Sequence, residues 1–252
     1  MLIATAERVP QAPLLDFMGR KYSYGEMART ARQVAAGLRR LGVAPGDRVG
    51  LFLPNTPHYV AAYYGALMMG AAVVNFSPLY TVDELTHQVA DSGTKLLITI
   101  SATALLPTAL QVMGRSGVER LVVGNIAEAL PTAKSLLYRL FKRSEVAHAP
   151  DDPRITSFAQ LVANDGDDIL PAIDAVNDLA LIQYTGGTTG TPKGAMLTHQ
   201  NLSANARQVA VIDPRENEVD RIMGVLPFFH VFANKCVLNR TVYHGGEIVM
   251  LP

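Results

Sequence analysis

From Ser23 to Val123 the chain repeats one unit: a capped helix, a glycine stop, then a short apolar run. Ser23-Tyr-Gly-Glu26 has the spacing of a capping box, in which Glu26 reaches back to the start of the helix that Ser23 caps. Met27, Ala31, Val34, Leu38 and Leu41 follow at helical spacing, and Gly42 ends the pattern. Pro45-Gly46-Asp47 reads as a turn before a strand over Arg48–Leu53. Thr56-Pro57 opens a second helix, with proline at its first position. The run Val60–Val74 is the longest apolar stretch, interrupted by Gly65 and Gly70, and it is short for a membrane span. It reads as a buried helix followed by a strand over Ala71–Phe76. Thr81-Val-Asp-Glu84 repeats the capping box, its helix stops near Gly93, and Lys95–Ile100 and Val118–Val123 read as further strands. Helices and strands alternating at these lengths predict βαβ units. The expected class is α/β: a mainly parallel twisted sheet with helices on both faces.

Composition narrows the partners. Apolar residues make up 49% of the 252, enough for a substantial core, and only 17% are charged. Lys plus Arg number 22 and Asp plus Glu number 22, so no net charge draws the chain to nucleic acid. The single cysteine, Cys236, allows no internal disulfide, and it reads as a small buried residue in a reducing, cytoplasmic compartment. The first residues have neither the basic start nor the apolar centre of a signal peptide.

The stretch 130–171 breaks the rhythm and reads as an insertion in a first subdomain, 1–175, ahead of a second beginning at 176. Within it, Ala133, Leu136, Leu137, Leu140 and Phe141 fall on one helical stripe, with Lys134, Arg139, Lys142 and Arg143 around it. Two readings stay open: a surface helix packed on the domain, or a basic amphipathic helix in peripheral contact with a membrane.

Tyr184-Thr-Gly-Gly-Thr-Thr-Gly-Thr-Pro-Lys-Gly194 points to chemistry. A strand over Asp178–Tyr184 leads into it. A short extended piece, Ala195–Leu197, leads out, to a helix that Thr198 caps and that carries Leu202, Ala206 and Val209. Gly186, Gly187 and Gly190 free the backbone to turn its N–H groups toward one centre, a concavity suited to phosphate oxygens. Thr185, Thr188, Thr189 and Thr191 add hydroxyls, and Lys193 adds a mobile positive charge. The NTPase P-loop is excluded, because its lysine is followed by Ser or Thr and here Lys193 precedes Gly194. The dinucleotide fingerprint is excluded as well, since no G-x-G-x-x-G opens a helix after the first strand.

This eleven-residue loop resembles the signature of the adenylate-forming superfamily: acyl-CoA synthetases, adenylation domains of peptide synthetases, and luciferases. The likeness continues through Ser23–Glu26, Gly46–Val49, Gly65–Ala71 and Asn75–Glu84, in the order expected of that family's N-terminal half. Leu226-Pro-Phe-Phe-His-Val-Phe232 is similar to its next motif. The loop together with Ala195-Met-Leu-Thr-His199 looks most like long- or medium-chain fatty-acid-CoA ligases.

The resemblance implies that ATP and a fatty acid give an acyl-adenylate and pyrophosphate, after which the coenzyme A thiol displaces AMP. It implies that Gly186, Gly187, Thr188, Thr189, Gly190 and Thr191 surround the phosphates, that Thr185 contacts phosphate or Mg, and that Lys193 steadies the pyrophosphate. It puts His230 near the reacting carboxylate, the alternative being a partly buried structural histidine. Phe228, Phe229 and Phe232 have two readings, the lining of an acyl pocket or core, with core expected for at least two of them. The resemblance also implies more chain: a Thr-Glu motif, a ribose-binding Asp, a hinge and a lysine-bearing C-terminal domain. The expectation is an N-terminal fragment, inactive alone and weak toward ATP. Adenylation of an aryl or amino acid, or a non-catalytic chain that self-associates as a homodimer, are the competing readings.

Overall fold

The computed structural model describes residues 1–166, 170–185, 192–212 and 220–251. Helix α1, Leu2–Arg8, precedes a hairpin of β1, Pro13–Phe17, and β2, Arg20–Ser23. Its turn holds Met18 at φ 56° and Gly19 at φ 95°, the left-handed backbone that favours glycine, and Asp16 Oδ1 accepts the Gly19 N–H at 3.0 Å. The helix α2, Tyr24–Arg40, begins at the Ser23–Glu26 capping box, both of whose hydrogen bonds form.

The alternation then runs as the pattern predicts. Strand β3 is Arg48–Phe52, α3 Pro57–Met68, β4 Ala72–Phe76, α4 Val82–Ser92, β5 Thr94–Ile100, α5 Leu106–Arg115 and β6 Arg120–Gly124. The second capping box closes at Thr81 and Glu84, and Gly93 caps α4 in the left-handed conformation. Every residue of α3 from Pro57 to Leu67 is buried, and so is all of β4, as a helix apolar all round requires. Helix α3 approaches α2 so closely that a Cβ on Gly65 would lie 2.5 Å from Val34 Cγ1.

Short helices α6, Ile126–Ala129, and α7, Thr132–Phe141, lead to β7, Ile155–Ser157, and α8, Phe158–Leu161. Strand β8, Leu179–Thr185, is followed by β9, Lys193–Thr198, and α9, His199–Val211, which Thr198 caps. Then come β10, Arg221–Gly224, a π-helical stretch Ala233–Asn239 continuing into α10, Arg240–His244, and β11, Glu247–Met250.

Seven strands form one sheet in the order β7-β6-β5-β3-β4-β8-β9, parallel except for β9, which runs antiparallel along the edge beside β8. Helices flank it: α3 rests on β3 and β4, and α5 on β5 and β6. A second sheet, β10-β11-β1-β2, was not evident in the sequence. It joins the chain's two ends, for β1 pairs in parallel with β11. Tyr24 locks the join: its buried hydroxyl lies 3.0 Å from the Thr241 carbonyl and 2.9 Å from that of Gly246.

Helix α7 departs from ordinary packing, for none of its residues is buried. Its half-buried positions are Ser135 and Tyr138, while Leu136, Leu137, Leu140 and Phe141 face outward. Of the three phenylalanines around His230, only Phe228 is buried; Phe229 is half-buried and Phe232 exposed. One, not two, therefore belongs to the core. Cys236 is half-buried rather than buried.

Candidate functional site

The antiparallel pairing of β8 with β9 makes the glycine-threonine loop the connection of a hairpin. The ladder ends on the pair Thr185 and Lys193, opposite one another at its neck. The Thr185 hydroxyl lies 3.4 Å from the Lys193 carbonyl, and both side chains are exposed. Gly186, Gly187, Thr188, Thr189, Gly190 and Thr191 lie outside the described residues. The neck is anchored below. The Tyr184 hydroxyl bonds Asp91 and the Gln88 carbonyl of α4, and its ring stacks on Phe76 of β4. Burial and the adjacent Asp91 carboxylate push that hydroxyl's pKa up, so it stays a donor.

The second motif is held against this neck by buried amides. Asn55 closes the turn that follows β10: its Nδ2 donates to the carbonyls of Gly224 and Leu226 at 3.1 and 2.9 Å. Its Oδ1 accepts the Phe228 N–H at 2.8 Å. Gln183, two residues before Thr185, donates to the Phe229 carbonyl at 3.0 Å, next to His230. Asn75 of β4 donates to Gln183 Oε1 at 3.2 Å. The Tyr59 hydroxyl of α3 sits 2.8 Å from both Asn75 Oδ1 and the Phe228 carbonyl. Asn234, Tyr63, Asn239 and Tyr64 continue the network into the π-helical stretch. Burial pushes the Tyr63 pKa up to about 12 and those of Tyr59 and Tyr64 well above the ordinary value, so all three hydroxyls keep their protons.

His230 is exposed in this chain. Its Nδ1 accepts the Phe232 N–H at 3.3 Å, which leaves Nε2 as the protonated nitrogen of the neutral ring. Gln183 thus joins the strand that carries the neck, with its hydroxyl and ammonium, to the turn that carries the imidazole. The arrangement suits a polyanion: a positive charge and donors at an exposed edge, on a rigid buried base. It offers a metal ion little directly. Thr185 supplies one neutral oxygen, and no group of three or more His, Cys, Asp or Glu that could hold a metal occurs among the described residues. A hard dication fits here only when phosphate oxygens and water complete its shell.

Asn55, Asn75, Gln183 and Asn234 were not singled out in the sequence. Their signal was present: amides set among apolar residues must find partners when buried.

Comparison with known proteins agrees with this picture. The family model described as AMP-binding enzyme matches residues 2–252. A long-chain-fatty-acid–CoA ligase of Bacillus subtilis is 37% identical over 258 residues, covering 100% of this chain and 45% of that protein. A probable 4-coumarate–CoA ligase 1 of Dictyostelium discoideum is 33% identical over 236 residues, covering 92% of this chain and 41% of that protein. Among solved structures, a long-chain-fatty-acid-CoA ligase from Archaeoglobus fulgidus superposes with TM-score 0.78 at 29% identity, over 99% of this chain and 46% of that one. The chain therefore spans a little under half the length of the curated relatives it matches.

Proposed function

Since the chain belongs to the AMP-binding enzyme family, we propose that the protein carrying it activates a fatty acid. The acid's carboxylate attacks the α-phosphate of ATP, pyrophosphate leaves, and the coenzyme A thiol then displaces AMP from the acyl-adenylate. The observation behind this reading is the hairpin neck, where Thr185 and Lys193 stand together and Gln183 ties them to the His230 turn.

Each residue has a task in this reading. Lys193 balances the charge that builds on the departing pyrophosphate, the point at which fixed positive charge lowers the barrier most. The Thr185 hydroxyl contacts a phosphate oxygen or the Mg ion. Gly186, Gly187, Thr188, Thr189, Gly190 and Thr191 supply N–H groups and hydroxyls around the phosphates. His230, with its Nε2–H outward, steadies the oxygens of the carboxylate being activated. Magnesium, when bound to the nucleotide, adds charge neutralisation at the same oxygens. The buried amides keep the two motifs in register.

A fatty acid is favoured because the relative of highest identity described above carries that substrate in its name. An aryl acid is the second reading, favoured by the coumarate-type relative. Pyrophosphate release with ATP, Mg and either palmitate or 4-coumarate, by the protein at the length of these relatives, separates the two. Turnover with palmitate and a loss of about 100-fold in Lys193→Ala are expected. Turnover with coumarate alone selects the aryl reading, and an unaffected Lys193→Ala removes the role given to the neck. The 252-residue chain alone is expected to release no pyrophosphate, and steady release would refute that.

A further inference from the structure

We propose that α7 is a membrane-docking helix, seated apolar face down on an anionic lipid surface. Turning about 100° per residue, Leu136, Leu140, Ala133, Leu137 and Phe141 cover an arc of roughly 140°. An ordinary surface helix turns such an arc inward. Here it is inverted: Leu136, Leu137, Leu140 and Phe141 are 61, 53, 52 and 76% exposed. The opposite side, Ser135 and Tyr138, is the one resting on the protein, where Tyr138 packs against the core. The helix is therefore already fixed in place, and its apolar ridge protrudes.

Charge identifies what covers the ridge. Lys134 borders the arc beside Phe141 and Arg139 borders it beside Leu136, with Lys142 and Arg143 at the C-terminal end. No acidic residue lies between Leu130 and Ser144, although the whole chain is neutral. Glu145 offsets one of these cations, through its ion pair with Lys142. A second copy of the chain fits poorly, because a two-fold pairing of these faces sets cationic flanks against cationic flanks. A lipid surface satisfies both features at once: acyl chains take the ridge, and phosphates take both flanks.

Beside the helix, a cleft of about 550 Å³ is lined by Arg139, Arg143, His148, Tyr138 and Asn125, with Glu128 the acidic group in its wall. It gathers the Arg139 and Arg143 guanidinium groups with Tyr138, on the side of the helix that rests on the protein, where they add to the local positive charge. On the β1–β2 turn, Met18 is 42% exposed, and its carbonyl accepts from Lys134 Nζ at 2.6 Å. That contact ties the turn to the first turn of α7. The proposal concerns where the protein works and does not rest on the ligase reading.

The test is co-sedimentation of the chain with vesicles of dioleoyl phosphatidylglycerol and phosphatidylcholine, 1:1, or of phosphatidylcholine alone, without nucleotide. Binding to the anionic vesicles only, weakening with salt, is expected. Partition is expected to fall about fivefold for each of Lys134, Arg139 and Arg143 changed to Gln. Leu137→Ser with Phe141→Ser is expected to lower it at least tenfold. Val211→Ser with Ile212→Ser, a control on apolar side chains exposed elsewhere at 85 and 78%, should leave it unchanged. Absence of binding overturns the proposal, as does indifference to the charge changes or an equal loss in the control pair. A dimer in gel filtration that Leu137→Ser with Phe141→Ser abolishes, without vesicle binding, overturns it in favour of a copy-to-copy interface. None of these variants alters Thr185, Lys193 or His230, so the pyrophosphate assay reports on the ligase reading separately.

Discussion

His58 carries a pH effect of clear sign in the mildly acid range. It is buried at the start of α3, edge-on to Phe158 at 4.8 Å, and its Nδ1 has no hydrogen-bond partner. Burial first, and the Arg20 guanidinium second, lower its pKa from 6.5 to about 4. Between these values the unfolded chain binds a proton that the folded protein refuses. Stability present above pH 6.5 is therefore lost as the pH falls toward 4. Urea midpoints should show a loss of about 2 kcal/mol from this group between pH 7.5 and 5. His58→Gln should be less stable at pH 7.5 and decline less steeply. His199 and His244, also lowered by burial, keep a residual slope of the same sign. A decline as steep as the wild type's in His58→Gln would contradict this account. Asn55 gives a second test. Asn55→Ala leaves the buried Phe228 N–H and Gly224 carbonyl without their partner, a cost of about 2–4 kcal/mol. Amide exchange should quicken over 224–230 while β3 to β6 stay protected. The sequence pointed to Lys193 and His230 through their motifs but gave no sign of what joins them. Gln183 reaches Phe229 across 46 positions, and a single sequence holds no period that pairs such distant residues.

Among the helices and strands, legibility followed local periodicity. The stretch from α2 to β5 was readable because each helix there carries its own cap and stop and each strand is a short apolar run, whereas α5, which has no side-chain cap, was not read. The second sheet was not, since β1 pairs with β11 across more than 200 positions, and the β1–β2 hairpin, though local, joins strands of only five and four residues. The direction of β9 was also hidden: a six-residue strand reads alike in either sense, and only its partner shows that it turns back. The glycine in α3 was visible as an interruption, and the packing explains it. A Cβ on Gly65 would meet both Val34 Cγ1 at 2.5 Å and the Ala31 carbonyl at 2.8 Å. Gly65→Ala should push α2 and α3 apart and cost about 2–3 kcal/mol, roughly 5–10 °C in Tm by calorimetry. An unchanged Tm would mean that the two helices have room to separate.

For the molecule as a whole, one buried base carries two exposed surfaces. The buried amide network holds the hairpin neck against the His230 turn, and α7 turns an apolar ridge outward. Family membership rests on a match from residue 2 to residue 252, while the chemistry rests on what the neck binds. The most direct measurement is therefore calorimetric titration of the chain with magnesium pyrophosphate, wild type against Lys193→Ala. Weak binding by the wild type, reduced about tenfold or more by Lys193→Ala and left unchanged by Leu137→Ser with Phe141→Ser, is expected from a charge-assisted contact at the neck. Equal affinity of the wild type and Lys193→Ala, or no heat from either, would contradict the assignment of this hairpin to the pyrophosphate half of ATP.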